Sequence, residues 1–117
     1  MSGLSTHVLD TVNGVPGAGI KITLYKVEGD QFRLLTSAVT NSDGRTDALL
    51  LTAAELQAGK YQLQFDTADY FRASGMAIPD NAFLDDVVIR FGINDTAGHY
   101  HVPLLVSPFS YSTYRGS

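Results

Sequence analysis

The chain of 117 residues is 44% hydrophobic and 17% charged, has no cysteine and carries a formal net charge of −4. A single domain spanning 1–117 can bury roughly two-thirds of the surface its unfolded chain exposes, so a core without staples is feasible; the missing cysteines exclude disulfides, thiol catalysis and Cys-based metal sites. The eight Lys and Arg are scattered, which argues against nucleic acid because phosphate neutralisation needs clustered cations, and no apolar run approaches the ~18 residues of a membrane span.

Period-2 alternation dominates the rest. Leu4–Leu9 puts His7 and Leu9 on one face and Thr6 and Val8 on the other. Gly19–Val27 alternates with Ile20, Ile22 and Leu24 on one side, and Gln31–Val39 alternates more weakly. Tyr61, Leu63 and Phe65 share a face, as do Val87, Ile89, Phe91 and Ile93. These segments read as half-buried strands. Asn13-Gly14, Val15-Pro16-Gly17, Glu28-Gly29-Asp30, Ser42-Asp43-Gly44 and Ala58-Gly59-Lys60 read as turns. Two short helical segments are expected. One is Thr52–Gln57, with a capping box from Thr52 to Glu55. The other is Asp69–Ser74, capped by Asp69 and stopped by Gly75. The fold class is all-β, a small antiparallel sandwich with one short helix. The opening residues show no basic n-region and no apolar h-region, so a cytoplasmic location is expected.

The late strand, His99–Ser107, offers Tyr100, Val102, Leu104 and Val106 to the core. That turns His99, His101, Pro103, Leu105 and Ser107 outward. Two outer faces then mix histidine with apolar side chains, which suggests a second buried surface, either a subunit interface or a ligand groove. Histidine titrates near neutral pH, so His7 and His101 can divide acid and base roles. Arg45, after the Ser42–Gly44 turn, supplies a guanidinium for a carbonyl-rich or anionic substrate. A zinc site from His7, His99 and His101 is the competing reading, disfavoured because no carboxylate sits comparably in either segment. Serines 5, 107, 110, 112 and 117 lack a Gly-x-Ser-x-Gly elbow, which disfavours a covalent serine mechanism. The tail Tyr111–Ser117 is polar, aromatic and carried on a strand, so it is expected to deliver its groups to a fixed point.

Leu4-Ser-Thr-His-Val-Leu-Asp10, Ser42-Asp-Gly-Arg45, His101-Val-Pro-Leu-Leu105 and Ser107-Pro-Phe-Ser-Tyr-Ser-Thr-Tyr-Arg-Gly-Ser117 resemble the 5-hydroxyisourate hydrolase family, the transthyretin-related enzymes of urate breakdown. The resemblance runs essentially the whole chain, and the terminal Tyr-Arg-Gly-Ser separates these enzymes from transthyretin. It implies a transthyretin-like sandwich of two four-stranded sheets, assembled as a homotetramer, a dimer of dimers with the active sites lining a channel. It implies catalytic roles for His7, Arg45, His101 and Ser117, and substrate binding by His7, Arg45 and Tyr114. The implied reaction is metal-free and cofactor-free hydrolysis of a cyclic amide, with His101 expected as the base. A carrier of small aromatic ligands in the same channel is the alternative. Leu49, where similar enzymes often have proline, is expected to loosen the loop beside Arg45. Gly17 stands where alanine is common.

Overall fold

The architecture comes from a computed structural model that describes residues 2–116. Nine strands form two packed sheets: β1 (Gly3–Asp10), β2 (Val15–Pro16), β3 (Lys21–Glu28), β4 (Gln31–Val39), β5 (Leu51–Thr52), β6 (Gly59–Phe65), β7 (Val87–Ile93), β8 (His99–Val106) and β9 (Tyr111–Thr113). The first sheet runs β2-β1-β8-β9, with β5 also on β1; the second runs β4-β3-β6-β7. All pairs are antiparallel except β1 with β8, which is parallel and joins residues from opposite ends of the chain.

Strand parity fixes the core. Leu4, Val8, Tyr100, Val102, Leu104 and Val106 from the first sheet meet Ile22, Leu24, Tyr61, Leu63, Phe65, Val87, Ile89 and Ile93 from the second. Each fully buried aliphatic side chain contributes about 1.5–3 kcal/mol of transfer free energy. A helix, α1 (Thr67–Ala73), seats Phe71 against this layer.

The parallel β1–β8 pair departs from the all-antiparallel sandwich expected, because the two strands come from opposite ends of the chain and no hairpin joins them, and three further details differ from the sequence expectation. The first sheet has five strands rather than four, because the two-residue β2 and β5 both attach to β1; Val15-Pro16 is therefore strand and not turn. Helix α1 starts from Asp66 rather than Asp69. The backbone carbonyl of Asp85 accepts bonds from Ala68 N–H (3.0 Å) and Thr67 Oγ1 (3.3 Å), so a distant loop supports the first turn. The Thr52–Glu55 box does form, with Thr52 N–H donating to Glu55 Oε1 at 2.9 Å, but it caps a 3-10 turn at Ala53–Glu55.

At the end of β1, the buried Asp10 carboxylate ties sheet to helix. It accepts from Val12 N–H (2.9 Å), Asn13 N–H (3.1 Å), Asn13 Nδ2 (2.9 Å) and Tyr70 Oη (2.7 Å). Burial pushes its pKa upward, but bonds from Asn13, Tyr70 and Val12 outweigh it and hold Asp10 below its ordinary 3.8. Burial and the same contact push Tyr70 up to about 12. A carboxylate with a depressed folded pKa stabilises above its unfolded value, and that contribution is lost as pH falls through the folded one. Asp10→Asn is expected to cost about 1.5–3 kcal/mol in urea denaturation at pH 7, with a shallower loss of stability on acidification than the parent.

Candidate active site

The outer face of the first sheet assembles the site in rows. Parallel pairing sets Ser5 opposite His101 and His7 opposite Pro103. On the other edge of β1, His7 bridges Arg45; on the other edge of β8, His101 bridges Gly116. One row is thus Arg45, His7 and Pro103, and the next is Ser5, His101 and Gly116. Tyr114 joins the first row by register, since the Leu104–Thr113 and His101–Gly116 pairings place it opposite Pro103. His7 and His101 stand diagonally, with backbones about 8 Å apart from strand and residue spacing.

Backbone chemistry presents Arg45. Asn41 Oδ1 accepts from Asp43 N–H (2.9 Å) and Arg45 N–H (3.2 Å), an Asx-type turn. The Arg45 carbonyl returns a bond to Asn41 N–H at 2.7 Å, and Val8 N–H donates to the Gly44 carbonyl at 2.8 Å. Gly44 has φ +76°, and a Cβ there would run into the Val8 carbonyl oxygen. Only glycine fits on both counts. Asn41 Nδ2 donates to Asp47 Oδ1 at 3.0 Å, and Leu50 N–H donates to the Leu4 carbonyl at 2.9 Å, so the loop carrying Leu49 is pinned at both ends.

Each histidine has a defined partner. His7 Nε2 lies 2.9 Å from the Asp43 carbonyl oxygen. A carbonyl only accepts, so His7 donates from Nε2, and in the neutral ring it is Nδ1 that keeps the lone pair. His101 Nδ1 lies 2.8 Å from Ser5 Oγ. Burial depresses the His101 pKa below 6.5, helped by the charges of Arg45, His7 and His99 and opposed by a hydrogen bond with the Ser5 backbone. His101 is therefore neutral at neutral pH, and an NMR pH titration is expected to give it a midpoint below 6.5. The sign of its linkage is the reverse of a histidine gaining an acid partner: its depressed folded pKa removes stability as pH falls through 6.5.

The tail is anchored where it meets His101. Gly116 N–H donates to the His101 carbonyl at 2.8 Å, and a Cβ on Gly116 would lie 2.6 Å from His101 Cδ2. No larger residue lets the backbone approach the ring this closely. Arg115 does not join the site as the tail composition suggested. Its guanidinium sits 4.2 Å over the Tyr100 ring and donates to the His99 carbonyl at 3.2 Å, clamping the tail to β8. Tyr114 is 61% exposed, has no hydrogen-bond partner among the described residues, and also borders a cleft of about 360 Å³ between β7 and β8. Ser117 lies outside the described residues. Pro103, expected on an exposed face, is buried, flanked in register by the larger side chains of His7 and Tyr114; Leu9 and Leu105 are half-buried. Among the described residues, no three His, Asp or Glu side chains are grouped closely enough to hold a metal ion.

Residues 4–116 match the family model described as HIUase/Transthyretin family. A 5-hydroxyisourate hydrolase of Pseudomonas aeruginosa is 56% identical over 117 residues, which are all of this chain and 93% of that protein. Among solved structures, an (S)-allantoin synthase aligns with TM-score 0.91 at 41% identity, covering 99% of this chain, which spans only 44% of the synthase. The 5-hydroxyisourate hydrolase of Klebsiella pneumoniae aligns with TM-score 0.79 at 37% identity over 99% of this chain and 100% of its own. With the match running from the first strand through the tail, the chain belongs to the HIUase/Transthyretin family.

Proposed function

We propose that this protein hydrolyses 5-hydroxyisourate to 2-oxo-4-hydroxy-4-carboxy-5-ureidoimidazoline, acting as an amidohydrolase without metal or cofactor. The observation that carries the reading is the cluster of two histidines and an arginine on one sheet face, with His7 held as the Nε2–H tautomer by the Asp43 carbonyl. Sequence identity to proteins named for that reaction supports it.

His7 Nδ1 accepts a proton from water as the water oxygen attacks an amide carbonyl carbon of the six-membered ring. The ring carbon–nitrogen bond then breaks, and the departing nitrogen takes that proton back from His7. Arg45 and His101 donate hydrogen bonds to the oxyanion that forms in between. This gives the base role to His7 rather than His101, because the Asp43 bond leaves His7 a lone pair and no second donor. Tyr114, in the row of Arg45 and His7, and Ser117, next in the chain to the residue bridged to His101, bind the far edge of the substrate.

The working assembly in this reading is a homotetramer, a dimer of dimers. The unpaired outer edges of β7 and β9 and the exposed Phe83 and Phe109 support burial against further copies. The working location is the cytoplasm; no helix among the described residues is long and apolar enough to cross a membrane.

The test generates 5-hydroxyisourate in place from urate and urate oxidase and follows its ultraviolet decay with and without the protein, before and after chelation. Accelerated decay that survives chelation is expected. No acceleration by the folded assembly would reject the hydrolase and turn attention to a carrier of small aromatic ligands.

A further inference from the structure

Behind His101, on the same face, Ser5 stands between two imidazoles. Its Oγ lies 2.8 Å from His101 Nδ1 and 3.5 Å from His99 Nε2. The two rings lie parallel, 9° apart in plane with centroids 6.5 Å apart. The arrangement is a product of pairing: the parallel β1–β8 register sets Gly3 opposite His99 and Ser5 opposite His101, so one hydroxyl reaches both rings.

His99 Nδ1 fixes the direction of this chain. It is buried and has no hydrogen-bond partner among the described residues. A neutral imidazole carries one proton, and a buried N–H without an acceptor is rarer and costlier than a lone pair without a donor. The His99 proton therefore belongs on Nε2, pointing at Ser5 Oγ. Ser5 then accepts from His99, and because its Oγ meets no third group among the described residues, its single hydrogen is satisfied only by donating to His101 Nδ1 at 2.8 Å. With Nδ1 accepting, the His101 proton must be on Nε2.

We propose that Ser5, backed by His99, is a positioning residue that locks His101 in the Nε2–H tautomer, so that His101 meets the substrate as a neutral hydrogen-bond donor and not as a base. The consequence for the reaction rests on the hydrolase reading above; the tautomer lock does not. The lock also explains how two histidines on neighbouring strands avoid duplicating each other. A backbone carbonyl leaves His7 with a lone pair at Nδ1, and a hydroxyl leaves His101 with a proton at Nε2.

The chain has three histidines, His7, His99 and His101, so ¹⁵N-histidine labelling with single substitutions assigns every ring nitrogen. Long-range ¹H–¹⁵N spectra at neutral pH are expected to show His101 protonated on Nε2 and unprotonated on Nδ1. Ser5→Ala is expected to give His101 a mixture of tautomers and to lower kcat by about 10–100-fold, by analogy with the loss of a partner that fixes the tautomer of a metal-bound imidazole. KM and quaternary state are expected to hold. Ser5→Thr, which keeps the hydroxyl, is expected to restore both tautomer and rate. His99→Phe, which keeps a ring and removes Nε2, is expected to loosen the lock by a smaller factor. A wild-type His101 protonated on Nδ1 would overturn the proposal, as would a Ser5→Ala protein that keeps the wild-type tautomer, whatever its rate. Unchanged tautomer and rate in His99→Phe would overturn the part given to His99. A wild-type protein that fails to turn over substrate rejects the hydrolase reading, while the spectra still decide the lock.

Discussion

Replacing His7 with glutamine is expected to lower kcat by about 10²–10⁴-fold, the usual contribution of a positioned general base. Glutamine is the informative choice because its amide nitrogen can occupy the place of His7 Nε2 and keep the donor to the Asp43 carbonyl. The Asn41–Arg45 turn should therefore stay closed, and KM should change little, since Arg45 and His101 still meet the substrate. What is lost is the Nδ1 lone pair. Steady-state kinetics in the coupled ultraviolet assay measure this directly. Near-wild-type turnover by a folded His7→Gln protein would reject His7 as the base.

The second large effect is expected at His101. Asparagine there can keep a polar atom near the position of Nδ1, facing Ser5, and removes the ring N–H that faces outward. If that N–H stabilises the oxyanion, kcat is expected to fall by about 10²–10³-fold, as for loss of one preorganised donor. The double variant His7→Gln/His101→Asn separates the roles further. Groups that act on one transition state are non-additive, so the double variant is expected to lose much less than the product of the single losses. A fully multiplicative loss would mean that the two histidines serve different steps.

Much of the frame was legible in the sequence because a strand's inside and outside alternate with period two. Parity alone separated Tyr100, Val102, Leu104 and Val106, which are buried, from His99, His101 and Leu105, which are only partly so. It likewise set His7 apart from Thr6 and Val8. The resemblance then attached roles to His7, Arg45 and His101, and the comparisons support the family it named. Short irregular features were less legible. The two-residue strands β2 and β5 have no periodicity to detect, and the start of α1 depends on the Asp85 carbonyl, eighteen residues beyond Thr67.

By itself, then, the sequence determined which side chains each strand turns inward and outward, because that follows from local backbone geometry. Only the tertiary structure decided which outward residues meet. Ser5 and His101 are ninety-six positions apart and face each other only because the first and eighth strands pair in parallel, in one register. A shift of that register by one residue would send Ser5 or His101 to the wrong neighbour. The division of labour between the histidines was equally out of reach, since a ring's free nitrogen is set by the partner of the other one. For His7 that partner is a backbone carbonyl of the Asp43 turn, and for His101 it is the hydroxyl of Ser5. Neither partner carries a mark in the sequence, because the chemistry of a carbonyl is common to every residue and that of a serine to every serine. It is their position after folding that makes one imidazole an acceptor and the other a donor.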